Sequence, residues 1–103
     1  MSDLLVRIKR AIIARKYSFS EKAIWEMDAD GITEDDVVES ILNAVAIYKK
    51  IRSTSPARGS VREYLYIIQS VNLDGMVIYS KGKFRGEGET ESYYFLISSK
   101  RGT

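Results

Sequence analysis

Apolar positions follow two rhythms along this chain, a helical one up to Asn43 and an alternating one beyond it. Leu4, Leu5, Ile8, Ala11 and Ile12 recur at the spacing of one helical face, with Arg and Lys between them and Ser2 placed as an N-cap. The cations gather toward the end of this helix, where they complement the macrodipole without needing a ligand. Tyr17-Ser18-Phe19 interrupts the pattern. Ser20 then caps a second helix, EKAIWEMDAD, which Gly31 ends. Ala23, Ile24 and Met27 are expected to face inward, with Trp25 half-buried at the edge of that stripe. Thr33 caps a third helix whose apolar face is Val37, Val38, Ile41 and Leu42. Its first turn holds Glu34, Asp35 and Asp36. Consecutive residues point in different directions on a helix, so these acids suit the dipole better than they suit a metal.

Beyond Asn43 the spacing predicts strands. Ala46–Arg52 places Ile47, Lys49 and Ile51 on one face and Tyr48, Lys50 and Arg52 on the other. Ser53–Ser60 holds the only proline and reads as a loop. EYLYIIQSV (63–71) and MVIYSKGKF (76–84) are joined by Asn72-Leu73-Asp74-Gly75, the residue types that a hairpin connection needs. In the second of these strands Tyr79, Lys81 and Lys83 share one face, and Met76, Ile78 and Phe84 the other. A polar connection from Arg85 follows, and Gly82, Gly86 and Gly88 read as hairpin glycines. The last strand, SYYFLISSK, is apolar on both faces until Ser98, as suits the middle of a sheet. The expected architecture is a single α+β domain spanning 1–103, with N-terminal helices packed on one face of a four-stranded antiparallel sheet.

Composition narrows the chemistry. A chain of 103 residues has room for one modest core. Hydrophobic residues at 45% and charged residues at 29% are ordinary for a globular protein. There is no cysteine and no histidine, so thiolate catalysis, serine triads and imidazole-based ribonuclease chemistry are excluded. Catalysis must draw on carboxylates, Tyr, Lys or Arg. Nucleotide-binding glycine motifs and a metal-ligand set are likewise missing from the sequence, and no cofactor is expected. With no membrane-length apolar run and no secretory h-region, a cytoplasmic location is expected.

The net charge of +2 is unevenly spread: residues 1–16 carry +4, 17–45 carry −7 and 46–103 carry +5. The sheet is therefore basic and suits an anionic partner. Lys50, Arg52, Arg62, Gln69, Lys83 and Arg101 are the candidate RNA-contacting residues, with Tyr79, Lys81, Lys100 and Lys49 beside them. Lys and Arg bind phosphate oxygens, and Tyr stacks on bases or donates to phosphate. The same residues also suit a surface with no ligand, since Lys protects sheet edges and Tyr is at home on half-buried strands.

From Ile8 to Lys100 the succession of segments resembles an uncharacterised family of small bacterial and archaeal proteins grouped with the RelE-like and MqsR-like toxins. G-I-T-E-D-D-V at 31–37, I-Y-S-K-G-K at 78–83 and L-I-S-S-K at 96–100 carry the resemblance. It implies helices against a curved antiparallel sheet, metal-independent endoribonuclease activity in a toxin–antitoxin pair, and a cognate antitoxin as partner. By position it implies roles for Lys49 in I-Y-K, for Gln69, for Tyr79 and for Lys100; with Lys81 on the same strand as Tyr79, the candidate catalytic residues are Lys81, Tyr79, Lys100 and Lys49. The reaction it suggests is attack of the RNA 2′-oxygen on the adjacent phosphate, with lysines stabilising the developing charge. The alternative is a module that binds RNA or protein through the basic sheet without cutting.

Overall fold

A computed structural model describes residues 2–52, 63–85 and 93–102. Its elements are α1 (Asp3–Ile13), β1 (Tyr17–Phe19), α2 (Glu21–Asp30), α3 (Glu34–Asn43), β2 (Lys49–Arg52), β3 (Tyr64–Val71), β4 (Val77–Arg85) and β5 (Tyr93–Arg101). The α+β class holds, but the sheet has five strands and is mixed, in the order β1-β5-β4-β3-β2. The added strand is Tyr17–Phe19, which pairs in parallel with Tyr94–Leu96 while the other ladders are antiparallel. Three residues are too few for alternation to be read, and their partner lies at the far end of the chain.

The helices begin and end as their caps dictate. Ser2 Oγ accepts from Leu5 N, Ser20 Oγ from Ala23 N, and Thr33 Oγ1 from Asp36 N. Asp36 Oδ2 returns to Thr33 N at 2.8 Å, completing a capping box. Gly31 ends α2 at φ 69°, and Arg15 follows α1 at φ 61°, a left-handed position filled without glycine.

Leu5, Ile8 and Ile12 of α1 and Val37 and Ile41 of α3 form the core with Tyr66, Ile68, Ile78, Tyr94 and Leu96 on one face of the sheet. α2 is placed differently. Ala23 and Met27 face the core, but Glu26 and Asp30 run along the outer edge of β5 beyond β1. Glu26 Oε1 accepts from Ser99 N at 3.1 Å, and Asp30 Oδ2 from Arg101 N at 2.9 Å. An i,i+4 step on a helix rises about 6 Å and an i,i+2 step on a strand about 6.7 Å, so the two registers match. The helix thus satisfies strand amides that would otherwise form an open edge. Trp25 and Ile24, expected half-buried and inward, are 71% and 44% exposed, because α2 spends its width on the strand edge. Leu42 is likewise exposed, at 37%.

At the hairpin, Gly75 has φ 83° and Asn72 Oδ1 accepts from Asp74 N and Met76 N. α3 holds this turn: Asp36 Oδ1 accepts from Asn72 Nδ2 at 3.0 Å, Glu39 Oε1 from Leu73 N, and Asn43 Nδ2 donates to Val71 O. The acids of α3 therefore cap their own helix and, through Asp36 and Glu39, clamp β3 to β4. Gly82 lies in mid-strand rather than in a hairpin, where a Cβ would fall 2.6 Å from the ring of Tyr94. That ring is fully buried and packs edge-on to Phe84 at 5.4 Å. Gly86, Gly88 and the Ser53–Ser60 loop lie outside the described residues.

Two outcomes are expected. Gly82→Ala overpacks the Tyr94 ring and should lower stability by about 1–3 kcal/mol, read as a lower denaturant midpoint at unchanged slope. The backbone amide of Thr33 foremost, then Asn72, hold the Asp36 carboxyl below its ordinary value of 3.8. Its contribution is therefore complete above that value and is lost as pH falls through the lower folded value. Denaturation across the acid range should show a shallower loss of stability for Asp36→Asn than for the wild-type protein.

Candidate functional site

The ladder between β3 and β4 is unbroken from Val71↔Val77 to Tyr66↔Gly82, so Tyr79, Lys81 and Lys83 share the face turned away from α1 and α3. Met76, Ile78 and Phe84 turn toward the core. The open face carries an apolar floor of Leu65, Ile67, Val77, Phe95 and Ile97, with Ile67 only 6% exposed.

β5 reaches this face through a bulge. Gly82 pairs with Leu96 but Lys81 with Ser98, so Ile97 is an extra residue and the alternation changes phase after it. Without the bulge, Lys100 would share the helix side with Tyr94 and Leu96. With it, Lys100 stands opposite Tyr79, and Arg101 opposite core-facing Ile78. The bulged residue is fixed from α2's N-terminus, where Ser20 Oγ donates to Ile97 O at 2.8 Å and Ser20 N to Leu96 O.

Two rows of side chains cross the open face. One runs Lys49, Ile67, Lys81, Ser98, and the next Gln69, Tyr79, Lys100. All four candidate catalytic residues and Gln69 therefore meet on one surface. The Lys100 amine lies 5.3 Å from the centre of the Tyr79 ring. Lys83 shares the face but is paired with Glu63 at 2.9 Å. Lys50 and Arg52 do not join, since they stand opposite Tyr66 and Tyr64 on the helix side, with Lys50 over the Tyr64 ring at 4.3 Å. Arg101 is turned to that side as well, and Arg62 lies outside the described residues. The first strand begins at Lys49 rather than Ala46, and Ile47 packs on the core while Ile51 faces the open side.

One residue that the sequence pattern did not single out belongs here. Glu26 Oε1 accepts from Ser98 Oγ at 2.7 Å as well as from Ser99 N, which brings its carboxylate to the end of the Lys81 row. Its only signal in the sequence is an acid four residues ahead of Asp30 on a helix flank, a pattern shared by many solvated surfaces. Burial, then the charge of Glu26, push the Tyr79 phenol above its ordinary 10, so at neutral pH Tyr79 is a proton donor. The face thus presents cationic groups for an anion, a phenol that keeps its proton and a carboxylate at the margin.

Among the described residues no helix is long and apolar enough to cross a membrane, and no three His, Cys, Asp or Glu are grouped as metal ligands. Compared with protein-family models, with curated proteins and with solved structures, the chain finds no match. Titration of the tyrosine side chains by NMR should find Tyr79 ionising above the ordinary phenol range. Glu26→Gln should bring it part of the way down, because the burial contribution remains.

Proposed function

We propose that this protein is a toxin-like, metal-independent endoribonuclease that holds RNA on the open face of its sheet. The reading is supported by one observation above all, the meeting of Lys49, Lys81, Tyr79 and Lys100 in two neighbouring rows. Lys81 and Lys100 flank the position where a phosphate contacts Tyr79. They stabilise the charge that builds on its oxygens as the RNA 2′-oxygen attacks the phosphorus. Tyr79, which stays protonated at neutral pH, donates to the departing 5′-oxygen. The products are a 2′,3′-cyclic phosphate and a 5′-hydroxyl. Lys49 and Gln69 extend the contact along the strand, and exposed bases find an apolar floor beside the Tyr79 ring. A cognate antitoxin is the partner that such a toxin requires.

A second reading, a module that binds RNA without cutting it, is favoured by the stacking of Lys100 on Tyr79. That arrangement serves phosphate contact and base stacking equally well without any proton transfer.

Incubating end-labelled single-stranded RNA with the protein in EDTA separates the two. Cleavage leaving cyclic-phosphate ends is expected, with Lys81→Ala and Lys100→Ala each slower by roughly 100-fold or more. Undiminished cleavage by both variants would remove these lysines from the mechanism, and salt-dependent binding without products would select the non-cutting module.

A further inference from the structure

Attack by a 2′-hydroxyl needs a base, and the open face supplies lysines and a phenol that keeps its proton. We infer that Glu26 is the general base of the cleavage reaction, its Oε2 taking the proton of the attacking 2′-hydroxyl. The assignment rests on the endoribonuclease reading and completes it.

Two features of the geometry carry it, and the electrostatics of Tyr79 agree with them. Ser98 Oγ and Ser99 N both donate to Oε1, which fixes the carboxylate while leaving Oε2 without a partner among the described residues. Ser98 is the cross-strand partner of Lys81, and the following Lys100 is the partner of Tyr79, so the carboxylate stands at the margin of the surface where the cations and the phenol meet. The influence of Glu26 on the Tyr79 phenol places the two groups within electrostatic reach of each other. Asp30 provides the internal contrast. It caps Arg101 N one helical turn later as Glu26 caps Ser99 N, yet it accepts from no open-face side chain among the described residues, whereas Glu26 also accepts from Ser98 Oγ.

The step balances without a further reactant. Glu26 takes the 2′-hydroxyl proton as the bond from O2′ to phosphorus forms. The bond from phosphorus to O5′ breaks, and Tyr79 protonates the departing O5′. Glu26 is left protonated and Tyr79 ionised, and exchange of one proton between them, directly or through water, restores both. With no imidazole in the chain, a carboxylate and a phenol divide the two roles.

The test uses the full chain, end-labelled mixed-sequence single-stranded RNA and EDTA, with the fluorescence of Trp25, exposed and next to Glu26, reporting binding. Glu26→Gln keeps a carbonyl oxygen for Ser98 and Ser99 but cannot accept the proton. Its kcat should fall about 100-fold or more while the RNA affinity stays within a few-fold of wild type. Asp30→Asn should cleave at the wild-type rate. Ser98→Ala, which frees the carboxylate without removing it, should show a smaller loss in kcat, and this variant reads the proposal independently if Glu26→Gln folds poorly. Glu26→Gln cleaving at the wild-type rate, or Ser98→Ala with unchanged kcat, overturns the role of Glu26 and leaves the endoribonuclease reading standing. A wild-type protein that binds RNA and yields no cleavage products overturns that reading and this assignment together.

Discussion

The extra residue in β5 is the feature on which the arrangement of the open face depends. Side chains of a strand alternate with period two, so one inserted residue exchanges the faces of everything beyond it. Ile97 is that residue, and beyond it Lys100 reaches the Tyr79 side while Arg101 is sent to the other. A bulge leaves backbone groups outside the ladder that need partners of their own. Here Ser20, the N-cap of α2, donates to the carbonyls of Leu96 and Ile97, while further along the outer edge of β5 Glu26 and Asp30 take the amides of Ser99 and Arg101. Ser20 has two jobs, since its hydroxyl oxygen also accepts from Ala23 N to start the helix.

The acidic middle of the chain is consequently structural in a specific sense. Its −7 balance is concentrated on α2 and α3. On α3, Asp36 and Glu39 bind the turn between β3 and β4, and on α2, Glu26 and Asp30 bind the edge of β5. Carboxylates are acceptors only, and strand edges and turns present unpaired N–H donors, so the pairing of acidic helices with a basic sheet is made largely through backbone amides rather than ion pairs. Among the described residues Lys49, Lys81 and Lys100 of the open face have no carboxylate partner, while Lys83 is paired with Glu63. The core beneath is tightly constrained at one point, where the Tyr94 ring occupies the space a side chain at residue 82 would need.

This division of labour bears on chemistry. A protein without histidine that cleaves RNA must find its base and acid among groups whose ordinary pKa values lie far from neutrality. In the reaction we propose, a phenol held protonated and a carboxylate held in place by two donors fill the two roles, and the cations between them take up charge on the phosphate. Glu26 links the two halves of the molecule, acting as an edge cap for β5 and as a group at the margin of the open face.

Much of this was legible from residue order. Ser2, Ser20 and Thr33 marked the helix starts and Gly31 an end, and Asn72 to Gly75 marked the hairpin, because caps and turns are local and each residue type acts through its own backbone. The shared face of Tyr79, Lys81 and Lys83 followed from alternation within one strand, and the interior position of β5, between β1 and β4, from its two apolar faces. What alternation alone could not reach were the events that depend on distant partners. Tyr17–Phe19 is a strand only because β5 lies beside it. Trp25 is exposed because α2 turns its flank to a strand edge, and it is pairing with Ile67 that puts the Lys49 face of β2, rather than the Lys50 and Arg52 face, on the open side. The exchange of Lys100 for Arg101 comes from a bulge held by residues nearly eighty positions earlier in the chain. Local order sets where the helices and the hairpin begin and end, whereas hydrogen bonding across long sequence separations makes a strand of Tyr17–Phe19 and decides which side chains meet.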